Sequence, residues 1–373
     1  MSEPAGTNIR PDATASPIRS RVALAAAHIV PGPWAENVPG APADIDWEST
    51  LGFRHHLWSL GLGVAEAMDT AQRGMGLNWS AAQELIVRST REAAAVGGRI
   101  AAGAGTDHMP EAPTGLDDVL RAYEEQLSFV EGTGAQPVLM ASRLLARSAR
   151  GPEDYLEVYA RLLTQCREPV ILHWLGSMFD PALTGYWGAE DFDSACQTVL
   201  TLITDQPGKV DGIKLSLLEP RWEQHLRARL PTGVRMYTGD DFHYPELILG
   251  DGRNHSDALL GIFAAIAPAA SRGLRALDSG DVAAYNDALM PTVPLARHLF
   301  CAPTQYYKTG IAFLAWLSGH QPGFAMVAGL QSGRSLVHLL RAKELADQAR
   351  VFPDPDLATY RMNLLLQMSG VGS

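Results

Sequence analysis

Apolar residues along this chain fall into two alternating patterns. Short runs rich in Val, Ile, Leu and Ala, bounded by Gly, Pro or Asp, read as buried strands. Longer segments with apolar positions three and four residues apart read as amphipathic helices. The first strand is "RVALAAAHIV" (21–30), followed by a linker rich in Pro and Gly and a helix near 48–61. "GVAEAMDT" (63–70) is a second strand and "NWSAAQELIVRSTREAAAVG" (78–97) its helix. "RIAAGAGT" (99–106) and a helix across 114–131 come next, then "QPVLMAS" (136–142) with a helix at 152–167. "EPVILHWLG" (168–176) leads to a helix at 189–204, and "VDGIKLSLLEP" (210–220) opens a helix from about 219. "VRMYTGDD" (234–241) is a seventh strand, and "HSDALLG" (255–261), followed by an alanine-rich helix, an eighth.

Strands that alternate with helices pair in parallel through right-handed crossovers. With eight of them, the economical α/β architecture is a (β/α)8 TIM barrel, which takes about 250 residues. An open doubly wound sheet is the rival. No Gly-x-Gly-x-x-Gly follows the first strand, however, and "GAGTDH" at the third lacks the third glycine. From about 279 the pattern changes. "YYKTGIAFLAWLSG", "GRSLVHLLRAKELADQA" and "DLATYRMNLLLQM" are helical, with no strands between them. The expected organisation is a disordered tail over 1–20, a barrel over 21–278 and a C-terminal helical bundle over 279–373. The tail is rich in Pro, Ala, Ser and Thr and has no apolar signal core.

Composition narrows the function classes. A formal net charge of −11 argues against a nucleic-acid partner, which needs a basic face. No run approaches the ~18 uninterrupted apolar residues of a membrane span. Cys166, Cys196 and Cys301 are scattered, with no C-x-x-C pair. That usage fits reduced thiols and a cytoplasmic protein.

In such barrels the chemistry sits at the C-terminal ends of the strands. Polar residues there are His28, Asp69, Thr70, Asp107, His108, Ser142, Arg143, His173, Lys214, Ser216, Asp240, Asp241 and His255. Lys214 stands out. The chain has only four lysines, Lys209, Lys214, Lys308 and Lys343, and Lys214 lies within an apolar run. Side chains alternate faces along a strand, so Lys214 and Ser216 point into the barrel if Ile213, Leu215 and Leu217 pack outward. Burial favours the neutral form of an amine, which is a nucleophile towards carbonyl carbon, so the position suits a Schiff-base lysine. An ion pair with a carboxylate such as Asp240 is the alternative. His173 shares its parity with Ile171 and also points inward, as an acid/base group, a metal ligand or a hydrogen-bonded core histidine. Asp69 and Thr70 either serve the substrate or cap the next helix. "GDGRNHS" (250–256) lies where barrels often bind phosphate, and the pair His55-His56 reads as structural.

Three signals together resemble the dihydrodipicolinate synthase/N-acetylneuraminate lyase family of class I aldolases, as a divergent branch. "VDGIKLS" resembles the Gly-Ile-Lys strand whose lysine forms the Schiff base. "YTGDDFHYPELILGDG" resembles the family's Ser-Gly-Asp-Asp segment, and the barrel with C-terminal helices resembles its layout. The resemblance implies Lys214 as the Schiff-base residue, Thr70 as the first threonine of the proton relay, and a homo-oligomer, dimer or tetramer. The departures are specific. "DTAQR" (69–73) stands where the family has Gly-Thr-Thr-Gly-Glu, so Ala71 replaces the threonine that helps hold a keto-acid carboxylate. "HWLGSM" places His173 at the family's tyrosine, and the usual arginine is missing there. "SRLLAR" replaces the tyrosine-rich stretch, with Arg143 as a substitute anion clamp.

The leading expectation is a lyase that forms a Schiff base through Lys214 with a small keto acid, keto sugar or sugar-derived carbonyl compound. His173 and Thr70 would move protons. Asp69, Asp107, His108, Arg143, Ser216, Asp240, Asp241 and His255 would bind substrate, with no cofactor and no metal. One alternative is a metal-dependent isomerase or lyase drawing ligands from Glu66, Asp107, His108, His173, Asp240 and His255. The other is a non-catalytic binder on a degenerate aldolase barrel.

Overall fold

In the computed structural model, which describes residues 17–68, 73–110, 112 and 115–371, the eight strands close on themselves in sequence order. They are β1 (Ala23–Ala26), β2 (Gly63–Glu66), β3 (Ile100–Ala104), β4 (Gln136–Leu139), β5 (Val170–Leu175), β6 (Val210–Ser216), β7 (Arg235–Thr238) and β8 (Asp257–Leu260). Each pairs in parallel with its neighbours, and β8 returns to β1. This is a (β/α)8 TIM barrel, as the alternation predicts. Most strands are shorter than their apolar runs. The first run spans 21–30, yet β1 ends at Ala26. Its neighbours β2 and β8 are four residues long, and the chain from Ala27 to Val30 is buried as irregular backbone instead.

The helices between strands are α1 (Trp47–Ser59), α2 (Trp79–Val96), α3 (Leu116–Thr133), α4 (Arg143–Ser148), α5 (Pro152–Gln165), α6 (Phe192–Asp205), α7 (Pro220–Arg227) and α8 (Tyr244–Leu249). Past β8 the described chain is helical: α9 (Ala267–Asp278), α10 (Val282–Leu289), α11 (Val293–Leu299), α12 (Tyr307–Leu317), α13 (Leu336–Gln348) and α14 (Pro355–Met368). Their starts follow capping chemistry. Asp46, Asn78, Asp191 and Asp354 each accept a backbone N–H of the first turn. Gly97 ends α2 in the left-handed conformation at φ 66°. The short α4 and α8 escape a periodicity reading because one and a half turns hold too few apolar positions to show a repeat. No helix among the described residues is long and apolar enough to cross a membrane.

Two apolar cores result. One lies between strands and helices and includes Leu172, Trp174, Ile213 and Leu215. The other fills the barrel: Leu24, Ala26, Ala65, Ala101, Val138, Met140, Ile171, Tyr237 and Leu259. Since Ile213 and Leu215 belong to the outer core, Lys214 and Ser216 face the interior, as strand parity predicts. The C-terminal helices close over the β1 side of the barrel. Every residue of α12 is buried, and its Lys308 side chain donates to the carbonyl of Ala26 at the end of β1.

Candidate active site

The interior lysine sits between two strand partners. Lys214 on β6 has His173 as its Cα partner on β5 and Tyr237 as its partner on β7. Lys214 is 8% exposed and His173 fully buried. The His173 Nε2 lies 3.2 Å from the Ser216 hydroxyl, one inward position further along β6. Tyr237 turns away from the mouth: its hydroxyl donates to Asp211 at 2.6 Å, near the start of β6. It therefore forms a floor under the lysine. Room for the amine comes from Gly239. A Cβ there would overlap the Ser216 Oγ and come within 2.9 Å of the Lys214 Cε.

Two consecutive carboxylates follow β7, with different work. Asp240 accepts the backbone N–H groups of Phe242 and His243 and lies 2.9 Å from the His243 ring. It closes the turn into α8. Asp241 is buried and accepts the Ile262 N–H at 2.8 Å. Burial pushes its carboxyl up to about 7, although that N–H and the Lys214 charge pull the other way. The Lys308 amine, buried at the Ala26 carbonyl, is pushed down to about 7 by burial against the attraction of Asp241.

Several other buried charges at this end are paired. Arg54 from α1 makes a two-pronged bridge to Glu66, both contacts 2.7 Å, and also reaches the His28 carbonyl. The His28 ring bonds Gln321 at 2.7 Å, and burial pushes it down to about 3, so it is neutral. Arg73 reaches the carbonyls of Ala67 and Gly103, the Asp107 carboxylate and Gln126. Burial alone would raise the Asp107 carboxyl, but Arg73 and Gln126 hold it below the ordinary value. A cavity of about 360 Å³ opens over β3, β4 and β5, lined by Arg73, Thr106, Asp107, Ser142, Arg143 and Leu175 among others. Leu175 is the register partner of Ser216. The His173–Lys214 level thus lies two residues below the cavity wall, about 6–7 Å at strand rise.

These contacts sort the residues proposed from sequence. Lys214, His173, Ser216 and Asp241 come together inside the mouth. Asp107 and Arg143 line the cavity, the latter paired with Asp180. His108 turns towards α3, where its ring meets Gln126 and Glu125. Asp69 and Thr70 lie outside the described residues. His255 is at the other end of the barrel. β8 begins only at Asp257, so His255 enters the strand rather than leaving it, and it lines a separate cavity with Arg21, Arg99 and Arg235. "GDGRNHS" is likewise on the entry side of β8. Among the described residues, no three His, Cys, Asp or Glu side chains gather as a metal site requires. The reason is local: Glu66 is taken by Arg54, Asp107 by Arg73 and Asp240 by its turn. Sequence reasoning missed Arg73, Arg54 and Lys308. The signal for Lys308 was available, since it is another rare lysine in an apolar run.

The family described as "Protein of unknown function (DUF993)" matches over residues 3–371. The chain belongs to the DUF993 family. No curated protein matches it. Among solved structures, this DUF993 chain is similar to YagE of Escherichia coli, described as a prophage protein of the dihydrodipicolinic acid synthase family in complex with pyruvate. The TM-score is 0.66 at 16% identity, covering 87% of this chain and 99% of that one. The chloride-inhibited dihydrodipicolinate synthase of Acinetobacter baumannii, complexed with pyruvate, gives 0.64 at 17% identity over 90% and 100%. The dihydrodipicolinate synthase of Oceanobacillus iheyensis gives 0.64 at 14% over 88% and 96%. At this identity the likeness establishes a dihydrodipicolinate synthase-like fold, which is what the sequence resemblance implies.

Proposed function

We propose that this chain is a lyase of the class I aldolase type that holds its substrate as a Schiff base on Lys214. The observation that carries the reading is the position of Lys214: an inward-facing amine at the mouth of the barrel, level with His173 and below a cavity whose largely apolar wall carries Arg73, Asp107 and Arg143. The substrate is a small keto acid, keto sugar or sugar-derived carbonyl compound. The pyruvate named with two of the similar structures makes a keto acid the first candidate.

The unprotonated Lys214 Nζ adds to the carbonyl carbon, and a proton passes from that nitrogen to the former carbonyl oxygen. His173 donates a proton to that hydroxyl, which leaves as water and gives the protonated imine. When the adjacent C–C bond breaks, the imine nitrogen accepts the electron pair and His173, now unprotonated, takes the hydroxyl proton of the departing fragment, which leaves as a carbonyl compound. In the synthetic direction the resulting enamine carbon supplies the pair for a new bond. Hydrolysis returns the amine. The imine is itself the electron sink, so the chemistry needs no cofactor or metal. A histidine titrates nearer neutrality than a tyrosine and can transfer protons both ways at pH 7. Thr70 assists it, and Asp69, Asp107, Arg143 and Ser216 hold the substrate's polar groups.

Imine formation exchanges the carbonyl oxygen with water. The chain is expected to speed loss of ¹⁸O from labelled pyruvate or a keto sugar above the protein-free rate, and Lys214→Ala to abolish the gain. Equal exchange by the two proteins would refute the reading.

A further inference from the structure

The cavity over β3, β4 and β5 has charged and apolar groups in its wall, and the charged ones answer one another. An arginine has five N–H donors. Those of Arg73 are all used inside the chain: on both oxygens of Asp107, on the carbonyls of Ala67 and Gly103, and on Gln126. Its guanidinium also lies 4.8 Å from the centroid of the Trp79 ring. Arg143 is paired with Asp180. The Ser142 hydroxyl bonds Thr106 and accepts the Leu145 N–H in the first turn of α4. Each ion pair is neutral as a pair, so it can bond a hydroxyl or carbonyl group without selecting a charged tail. Much of the remaining wall is apolar: Met75, Met109, Leu144, Leu175, Phe179 and Leu183. Met140 joins this wall to the barrel core, where it packs in one cluster with Ile171. Two glycines make room for its thioether. A Cβ at Gly103 would lie 2.6 Å from the Met140 Sδ, and one at Gly105 3.1 Å from its Cε.

We infer that this cavity holds the fragment on the far side of the C–C bond, and that the fragment is an aldehyde with an apolar substituent, an aromatic ring or a branched alkyl group. The inference rests on the lyase reading and narrows its substrate class. In cleavage the substituent leaves on the aldehyde. In synthesis the enamine carbon adds to the aldehyde carbon, and the aldehyde oxygen takes a proton from His173. A substituent beyond that bond starts about 5 Å from the Lys214 Nζ, at bond lengths near 1.5 Å. The cavity wall begins about 6–7 Å above the lysine level, at Leu175, two residues beyond His173 on β5. The volume fits as well. An apolar cavity of roughly 150 Å³ holds benzene, and this one has about 360 Å³. Methionine side chains adapt to different shapes, and their sulfur atoms make favourable contacts with aromatic rings. A sugar tail would instead press hydroxyls against Met75, Leu144, Phe179 and Leu183, where burial without a hydrogen bond is costly.

The test has a binding arm and a turnover arm. Binding uses para-fluorobenzyl alcohol, a stand-in for an aromatic aldehyde that forms no imine, followed by ¹⁹F NMR on the full chain. The wild type is expected to bind it saturably. Ala141→Phe fills the cavity and Met109→Asp puts a charge in its wall, and each is expected to weaken binding about tenfold or more. Met109 is 38% exposed, so its variant keeps the fold and the test if Ala141→Phe does not. Turnover compares benzaldehyde with glyceraldehyde as partners of pyruvate, the product read by mass spectrometry. Benzaldehyde is expected to lead in kcat/KM by on the order of tenfold or more, and Met109→Asp to shrink that lead. Probe binding that both variants leave unchanged, or a preference for glyceraldehyde, would overturn the inference. The two arms separate it from the lyase reading. Probe binding that the variants weaken, with no product from either aldehyde, keeps the apolar cavity and removes the lyase. Product from glyceraldehyde alone keeps the lyase and removes the apolar fragment.

Discussion

His173 and Lys214 are register partners on adjacent strands, and both point into the barrel. Their side chains project from neighbouring strands at one level, so an imine formed on the lysine is within reach of the imidazole. His173→Asn removes the titrating ring and leaves the lysine. Turnover of the keto compound is expected to fall about 10²- to 10⁴-fold. A borohydride-stable adduct should still form at Lys214. Loss of the adduct together with turnover would make His173 a structural support of the lysine instead.

Gly239 leaves the space that the Lys214 chain occupies. Gly239→Ala forces Ser216 and Lys214 to shift. Overpacking of this kind costs about 1–3 kcal/mol. The expected signature is a modest drop in thermal stability with a much larger loss of Lys214 adduct, measured on the same protein. Unchanged adduct formation would mean that the lysine reaches its working position by another route.

Arg54 and Glu66 form a fully buried two-pronged pair. Removing one partner strands the other charge, which typically costs about 3–5 kcal/mol. Glu66→Gln and Arg54→Met should each lose stability on that scale in denaturant unfolding. The double variant Arg54→Met/Glu66→Met should lose less than the sum of the two.

Asp241 gives the fold a pH signature. Its carboxyl is pushed up to about 7 from an ordinary value of 3.8, with burial the largest cause. Between those values the folded chain holds a proton that the unfolded chain has lost. The stability contributed by Asp241 is present below about pH 4 and is lost as pH rises through 7. Melting temperatures of the wild type and Asp241→Asn should therefore move relative to each other between pH 4 and 7, with the variant gaining. Parallel curves would place Asp241 in contact with water.

The barrel and the inward aim of Lys214 were legible because a period of two is local to one strand and needs no knowledge of its neighbours. His255 was misplaced because an apolar run does not say where pairing begins, and two residues reverse which end of the barrel a side chain serves. Asp240 and Asp241 were indistinguishable for a related reason. They lie past the end of β7, where parity no longer applies and turn geometry decides which carboxylate goes inward. Lys308 carried the same signal as Lys214, but reading the C-terminal helices as an appendage detached it from the mouth. Arg73 and Glu66 acquire their partners from segments distant in sequence, which no spacing rule reaches.

The central claim is that Lys214 is the covalent point of attachment. The most direct measurement is borohydride reduction of the protein with pyruvate and with a panel of keto sugars, followed by peptide mapping. The account predicts a stable mass increase on the peptide that contains Lys214, absent in Lys214→Ala and in samples without borohydride. A ligand that binds tightly yet leaves Lys214 unmodified on reduction would contradict it and favour a barrel that binds without chemistry.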